Sequence, residues 1–124
     1  MRGMALALTI TALVAPAAAA QDSLPPGVTQ QVVSDGEKIY KGAGLCYACH
    51  GPDAKGIQNL GPNLADSVWL HSKGTFDDIV KQITTGVTGA QSKSGAVMPP
   101  NGGAPLSDAQ VRAVAAYVWR LSHQ

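Results

Sequence analysis

The chain has 124 residues, a mass of 12.7 kDa and a formal net charge of +1. Charged residues make up 14% and hydrophobic residues 45%, which excludes a highly charged disordered chain and leaves room for one small domain. The near-neutral balance gives no basic footprint for nucleic acid, and two cysteines cannot build a disulfide-rich scaffold.

Arg2 precedes an apolar run from Ala5 to Val14 that only threonine interrupts. Pro16 ends the run, and Ala18, Ala19 and Ala20 form a small-x-small cleavage signal before Gln21. Residues 1–20 therefore read as a secretory signal peptide. The run is too short for a spanning helix, which needs about 18 apolar residues or more. Once Arg2 is removed with it, the mature chain is neutral, and Met98 is its sole methionine. Export implies the periplasm, an oxidising compartment.

Residues 21–31 hold two prolines, a glycine and polar side chains, and read as a flexible N-terminal arm. A single domain follows over 32–124. Ser34 and Glu37 have the spacing of a capping box, which predicts a helix from Ser34 to about Ala43, where Gly42 and Gly44 weaken it. A Gly/Pro/Asn-rich stretch without strand pattern runs to Leu64. A second helix is predicted from the N-cap Thr75, with Asp77 and Asp78 in its first turn and Gly86 ending it. Residues 86–105 read as a loop. The last helix has a Ser107/Gln110 capping box, Asp108 in its first turn, and Arg120 and His123 near its end. With at least three helices, no convincing strand and no repeat, the fold class is all-α. Few large apolar side chains are available, so the polypeptide core is thin.

Cys46, Cys49 and His50 form the C-x-x-C-H signature of covalent haem attachment. Two thiols three positions apart lie within one turn and reach two vinyl groups on one porphyrin edge. The histidine directly after them then offers its Nε2 to the iron. A thioredoxin-like dithiol would need a βαβ context that is lacking here. A zinc site would have to recruit His71 or His123 to these three residues, at a spacing unlike the common structural sites. A Cys46–Cys49 disulfide would close a very short, strained loop.

Met98 lies in the loop Gly95–Pro100, stiffened by Pro99 and Pro100. Its thioether is the candidate second axial ligand, which would raise the potential relative to a second imidazole. The bland alternative is a methionine packed in the core. His71 is the competing ligand. His123, at the chain end, reads as a charge partner of the last helix.

With these residues in view, the mature chain resembles the class I bacterial cytochromes c over residues 33–122. The resemblance rests on C-Y-A-C-H-G at 46–51, G-P-N-L at 61–64, V-M-P at 97–99 and L-S-D-A-Q-V-R-A-V-A-A-Y-V at 106–118. It implies three to five helices wrapped around one covalently bound haem c, with His50 and Met98 as the metal ligands. It also implies that Gly36 and Tyr40 meet the last helix at Val114 and Tyr117, with Gly36 allowing a close crossing. Pro62 is implied to accept a hydrogen bond from His50 Nδ1, Leu64 to pack on the haem, and Trp69 to approach a propionate, although an ordinary core role suits Trp69 almost equally. Ile83, Val87, Val97 and Val118 are candidate pocket walls.

The expectation from this resemblance is a soluble periplasmic one-electron carrier, a monomer without catalytic residues or membrane span. It would pass electrons between a donor, such as a dehydrogenase or membrane cytochrome complex, and an oxidase or reductase. Segments 66–71 and 115–121 also resemble haem domains of larger complexes, so the alternative is the haem c subunit of a periplasmic dehydrogenase or terminal oxidase. A weak peroxidase or a sensor would require Met98 to leave the iron.

Overall fold

A computed structural model describes residues 23–124; the expected signal peptide lies outside them. Four α-helices and one short 3₁₀ turn occur among the described residues: α1 (Gln30–Lys41), α2 (Tyr47–His50), α3 (Phe76–Thr85), the 3₁₀ turn (Pro100–Gly103) and α4 (Asp108–Ser122). No strand forms among these residues, only two isolated bridges, Ile57 to Gly61 and Val87 to Met98. The expected all-α class is found. No helix of the described residues is long and apolar enough to cross a membrane.

α1 starts four residues before Ser34, and the expected Ser34 cap is not used. Thr29 is the N-cap, in extended conformation, and its side chain accepts from the Val32 amide at 3.2 Å. Threonine and serine both cap well. The earlier start continues the helix through Val32 and Val33, and Val33 is buried in the core. The helix stops at Lys41, where Gly42 returns its amide to Ile39. The arm is shorter than expected: Gln30 and Gln31 are helical, and Leu24 and Val28 pack against the core.

α3 and α4 have the predicted caps. Thr75 accepts from the Asp78 amide. Ser107 and Gln110 exchange both capping-box hydrogen bonds. α4 is the central element: Val111, Val114, Ala115, Ala116 and Val118 are all buried. α1 packs across it on one side and α3 on another. The expected 86–105 loop contains the 3₁₀ turn and the Val87–Met98 bridge. Neither was legible, because one is four residues long and the other a single residue pair.

Candidate functional site

α2 is one helical turn, and it carries the whole attachment motif. Cys46 is its N-cap and already has helical backbone angles, and the His50 amide donates to Cys46 O at 2.9 Å. Positions 46, 49 and 50 are related by three and four residues, so their side chains share one helix face. Both cysteines are free thiols. Burial pushes the Cys46 thiol up to about 11, so it stays protonated at neutral pH.

His50 is buried. Its Nδ1 lies 2.9 Å from the Pro62 carbonyl oxygen. That oxygen can only accept, so Nδ1 carries the proton and Nε2 keeps a free lone pair. Burial holds the imidazole below the usual histidine range, against the opposing pull of the Pro62 carbonyl. A neutral imidazole with Nε2 available is the form a metal takes.

These residues line one cleft with predominantly apolar walls, which suits an apolar guest. Its walls include Ile79, Ile83, Val87, Val114 and Val118. Leu64 and Trp69 line it too, and the Trp69 indole lies across the α-carbon of Gly74. Val97 stands at the cleft but is 62% exposed, so it belongs to the rim. None of the lysines lines the cleft.

Met98 lines the same cleft from the loop after α3. Its backbone is paired with Val87 in both directions, at 2.8 and 2.9 Å. Both rival histidines have other hydrogen-bond partners. His71 Nε2 accepts from the Lys93 amide at 2.8 Å. His123 stacks on Trp119 with ring centroids 4.1 Å apart and places Nδ1 2.8 Å from the Trp119 carbonyl oxygen. His71 lines the same cleft as the cysteines, but its Nε2 is taken by the Lys93 amide, and no cluster of three His, Cys, Asp or Glu side chains able to hold a metal occurs among the described residues. That removes the support for a zinc site.

The residues therefore fit a covalently attached haem: two unpaired thiols, an imidazole with a fixed tautomer and a thioether meet in one apolar cleft. Asn101 Oδ1, on the wall three residues beyond Met98, is buried without a protein partner. Such an atom suits a guest with a polar edge. Several contributors were not foreseen. Leu45, Leu60 and Val68 line the mouth. Tyr40 donates its hydroxyl to Gly51 O at 2.8 Å, pinning the residue after His50. Tyr40 recurs as a match to the family helix, but nothing local in the sequence marks its bond to Gly51.

Fold and cleft together define a class I cytochrome c domain binding haem c. The family model described as cytochrome C oxidase, cbb3-type, subunit III matches residues 31–118, and the chain belongs to this family. It is 41% identical over 93 residues to the cbb3-type cytochrome c oxidase subunit CcoP of Rhodobacter capsulatus; the match covers 69% of this chain and 28% of that protein. The chain thus spans little more than a quarter of that relative's length. Among solved structures, it is similar to cytochrome cL from Methylophaga aminisulfidivorans (TM-score 0.57, 23% identity, 73% of this chain and 53% of that one). It is also similar to cytochrome cL from Hyphomicrobium denitrificans (TM-score 0.52, 29% identity, 70% and 45%). The family model and the CcoP relative fit the alternative expectation, a haem c component of a terminal oxidase, better than the freely diffusing carrier.

Proposed function

We propose that this chain is a one-electron transfer domain serving a terminal oxidase of the cbb3 kind, with its iron held by His50 and Met98. The observation that carries the reading is the convergence of Cys46, Cys49, His50 and Met98 on one apolar cleft. The oxidase-subunit relatives support an oxidase as the electron acceptor.

Bound haem supplies a reversible one-electron change at iron; the redox chemistry is the cofactor's. Cys46 and Cys49 tether it as thioethers. His50 presents Nε2, and the Pro62 carbonyl fixes the imidazole's tautomer and orientation. Met98 supplies a soft sulfur that favours the reduced ion. Leu64 would pack on the haem and Trp69 would approach a propionate, both lining the cleft. The apolar walls from α3 and α4 lower the local dielectric and disfavour the more charged oxidised state. With His50 and Met98 both holding the iron, no substrate would reach the metal, and the domain would carry electrons without catalysis of its own.

The cleft mouth is where electrons enter and leave. Leu45, Leu60, Val68 and Val97 expose 52%, 43%, 65% and 62% of their surfaces there. Such an apolar rim suits contact across a small patch. The partners on this reading are an electron donor and the oxidase acceptor, both met in the periplasm.

Stopped-flow mixing of the reduced holoprotein with a purified cbb3-type oxidase tests the proposal. Rapid haem oxidation and elution of the two together in fixed stoichiometry are expected. Rapid oxidation without co-elution would return the protein to the free-carrier class. Absence of oxidation would overturn the reading.

A further inference from the structure

We propose that Gln82 and Gly86 are positioning residues that hold the Met98 thioether in the cleft. The inference rests on the reading of Met98 as a ligand. Met98 stands at the end of a ten-residue loop, and a ligand on a loop is only as well fixed as the loop's anchors.

The anchor is built from the last turn of α3. Gly86 follows that helix with φ +69° and ψ −166°, a backbone region that side chains with a β-carbon rarely enter. Its amide donates to Gln82 O at 2.9 Å. The Gln82 side chain reaches the other side of the same residue, with Nε2 donating to Gly86 O at 2.8 Å. One glutamine therefore grips both the amide and the carbonyl of Gly86. The next residue, Val87, pairs with Met98 through two backbone hydrogen bonds.

Close packing completes the clamp. The Met98 carbonyl passes over the α-carbon of Gly86, and a β-carbon there would overlap the Met98 oxygen. That β-carbon would also fall 2.8 Å from Pro99 C and 2.9 Å from Pro100 N. All three neighbours are backbone atoms, so no side-chain rotation relieves the conflict. The clamp thus joins residues 12 apart in sequence through one glycine surface and a pair of hydrogen bonds, and it fixes both backbone groups of the ligand residue.

The holoprotein is compared with Gly86→Ala, Gln82→Glu and Met98→Ala. Two readouts apply: the far-red sulfur-to-iron absorbance of the oxidised form, and the apparent affinity for added imidazole. Imidazole competes only when the thioether is away, so its apparent affinity tracks the open fraction. Gly86→Ala is expected to weaken the band and to tighten apparent imidazole binding about tenfold, the cost of a left-handed β-carbon expressed as a population. Gln82→Glu keeps the side-chain shape and removes the donor, and is expected to shift both readouts the same way by less. It also decides the matter should Gly86→Ala fail to mature. If Met98→Ala loses the band while both clamp variants behave like the parent, the clamp is refuted and the ligand reading stands. If Met98→Ala keeps the band, the ligand reading fails and the clamp fails with it.

Discussion

The α-carbon of Gly36 in α1 rests against the backbone carbonyl of Ala113 in α4, so closely that a β-carbon would overlap its oxygen. The nearest α4 side-chain atom to that position is Cβ of Tyr117, at 3.1 Å. The closest approach at the crossing is to Ala113, with Tyr117 beside it. Val114 lies in the same core cluster as Tyr40 and also lines the haem cleft. Gly36→Ala forces the helices apart at their tightest point. Overpacking of this kind costs about 1–3 kcal/mol. A lower denaturant midpoint in the holoprotein, with an unchanged slope, is the expected result; an unchanged midpoint would mean that the crossing is not tight.

Tyr40 ties the same helix to the haem-binding turn. It is fully buried, its hydroxyl donates to Gly51 O, and its ring meets Tyr117 edge-on with centroids 5.4 Å apart. Tyr40→Phe leaves the Gly51 carbonyl without its partner, at a cost of about 1–3 kcal/mol. The phenol also sets an alkaline limit. Burial raises its pKa far above the ordinary value, ahead of the nearby Cys46 thiol. The unfolded chain therefore loses this proton first as pH rises. The stabilisation is complete below the unfolded value of about 10 and declines above it, because the fold then holds the extra proton. Urea midpoints measured from pH 9 to 11 are expected to fall less steeply in Tyr40→Phe than in the parent.

What was legible in the sequence is what is local. The attachment motif, the Thr75 cap of α3 and the capping box of α4 each sit within five consecutive positions, where about one turn of backbone decides geometry. The start of α1 was not legible, because Thr29 and Ser34 both have the chemistry of a cap. The choice between them is made by tertiary packing of Val33, Val28 and Leu24. The support of Met98 by Gly86 and of Gly51 by Tyr40 joins residues 12 and 11 apart through loops, where no periodicity marks the pairing. Asn101 Oδ1 stands out only once its surroundings are known.

His71 links the Trp69 segment to the loop that precedes Met98. Its Nε2 accepts from the Lys93 amide, which a protonated imidazole cannot do. Burial and then the Lys93 ammonium hold its pKa below the usual histidine range. The unfolded chain therefore takes up this proton before the folded one. The contribution is present above about pH 6.5 and is lost as pH falls through the folded value. Intrinsic amide exchange is base-catalysed and slows from pH 7 to 5; exchange of the Lys93 amide in the holoprotein is expected to slow less than that, leaving an excess at pH 5. In His71→Gln the excess should vanish. Equal behaviour of the two proteins would show that the loop does not depend on this bond.

Covalent attachment separates this haem from one held by ligation alone. Cys46 and Cys49 share a helical turn with His50, so either thioether keeps the porphyrin beside the imidazole at high effective concentration. The protein matured in a competent host and denatured in acid should have the mass of its polypeptide plus one haem. Cys46→Ala should keep that mass through Cys49. The double variant Cys46→Ala/Cys49→Ala should keep haem only through His50 and Met98. Acid protonates the imidazole and removes that grip, so its denatured mass should be that of the polypeptide alone. A double variant that retains haem mass after acid would require another covalent anchor, and a parent protein that lacks it would end the cytochrome assignment.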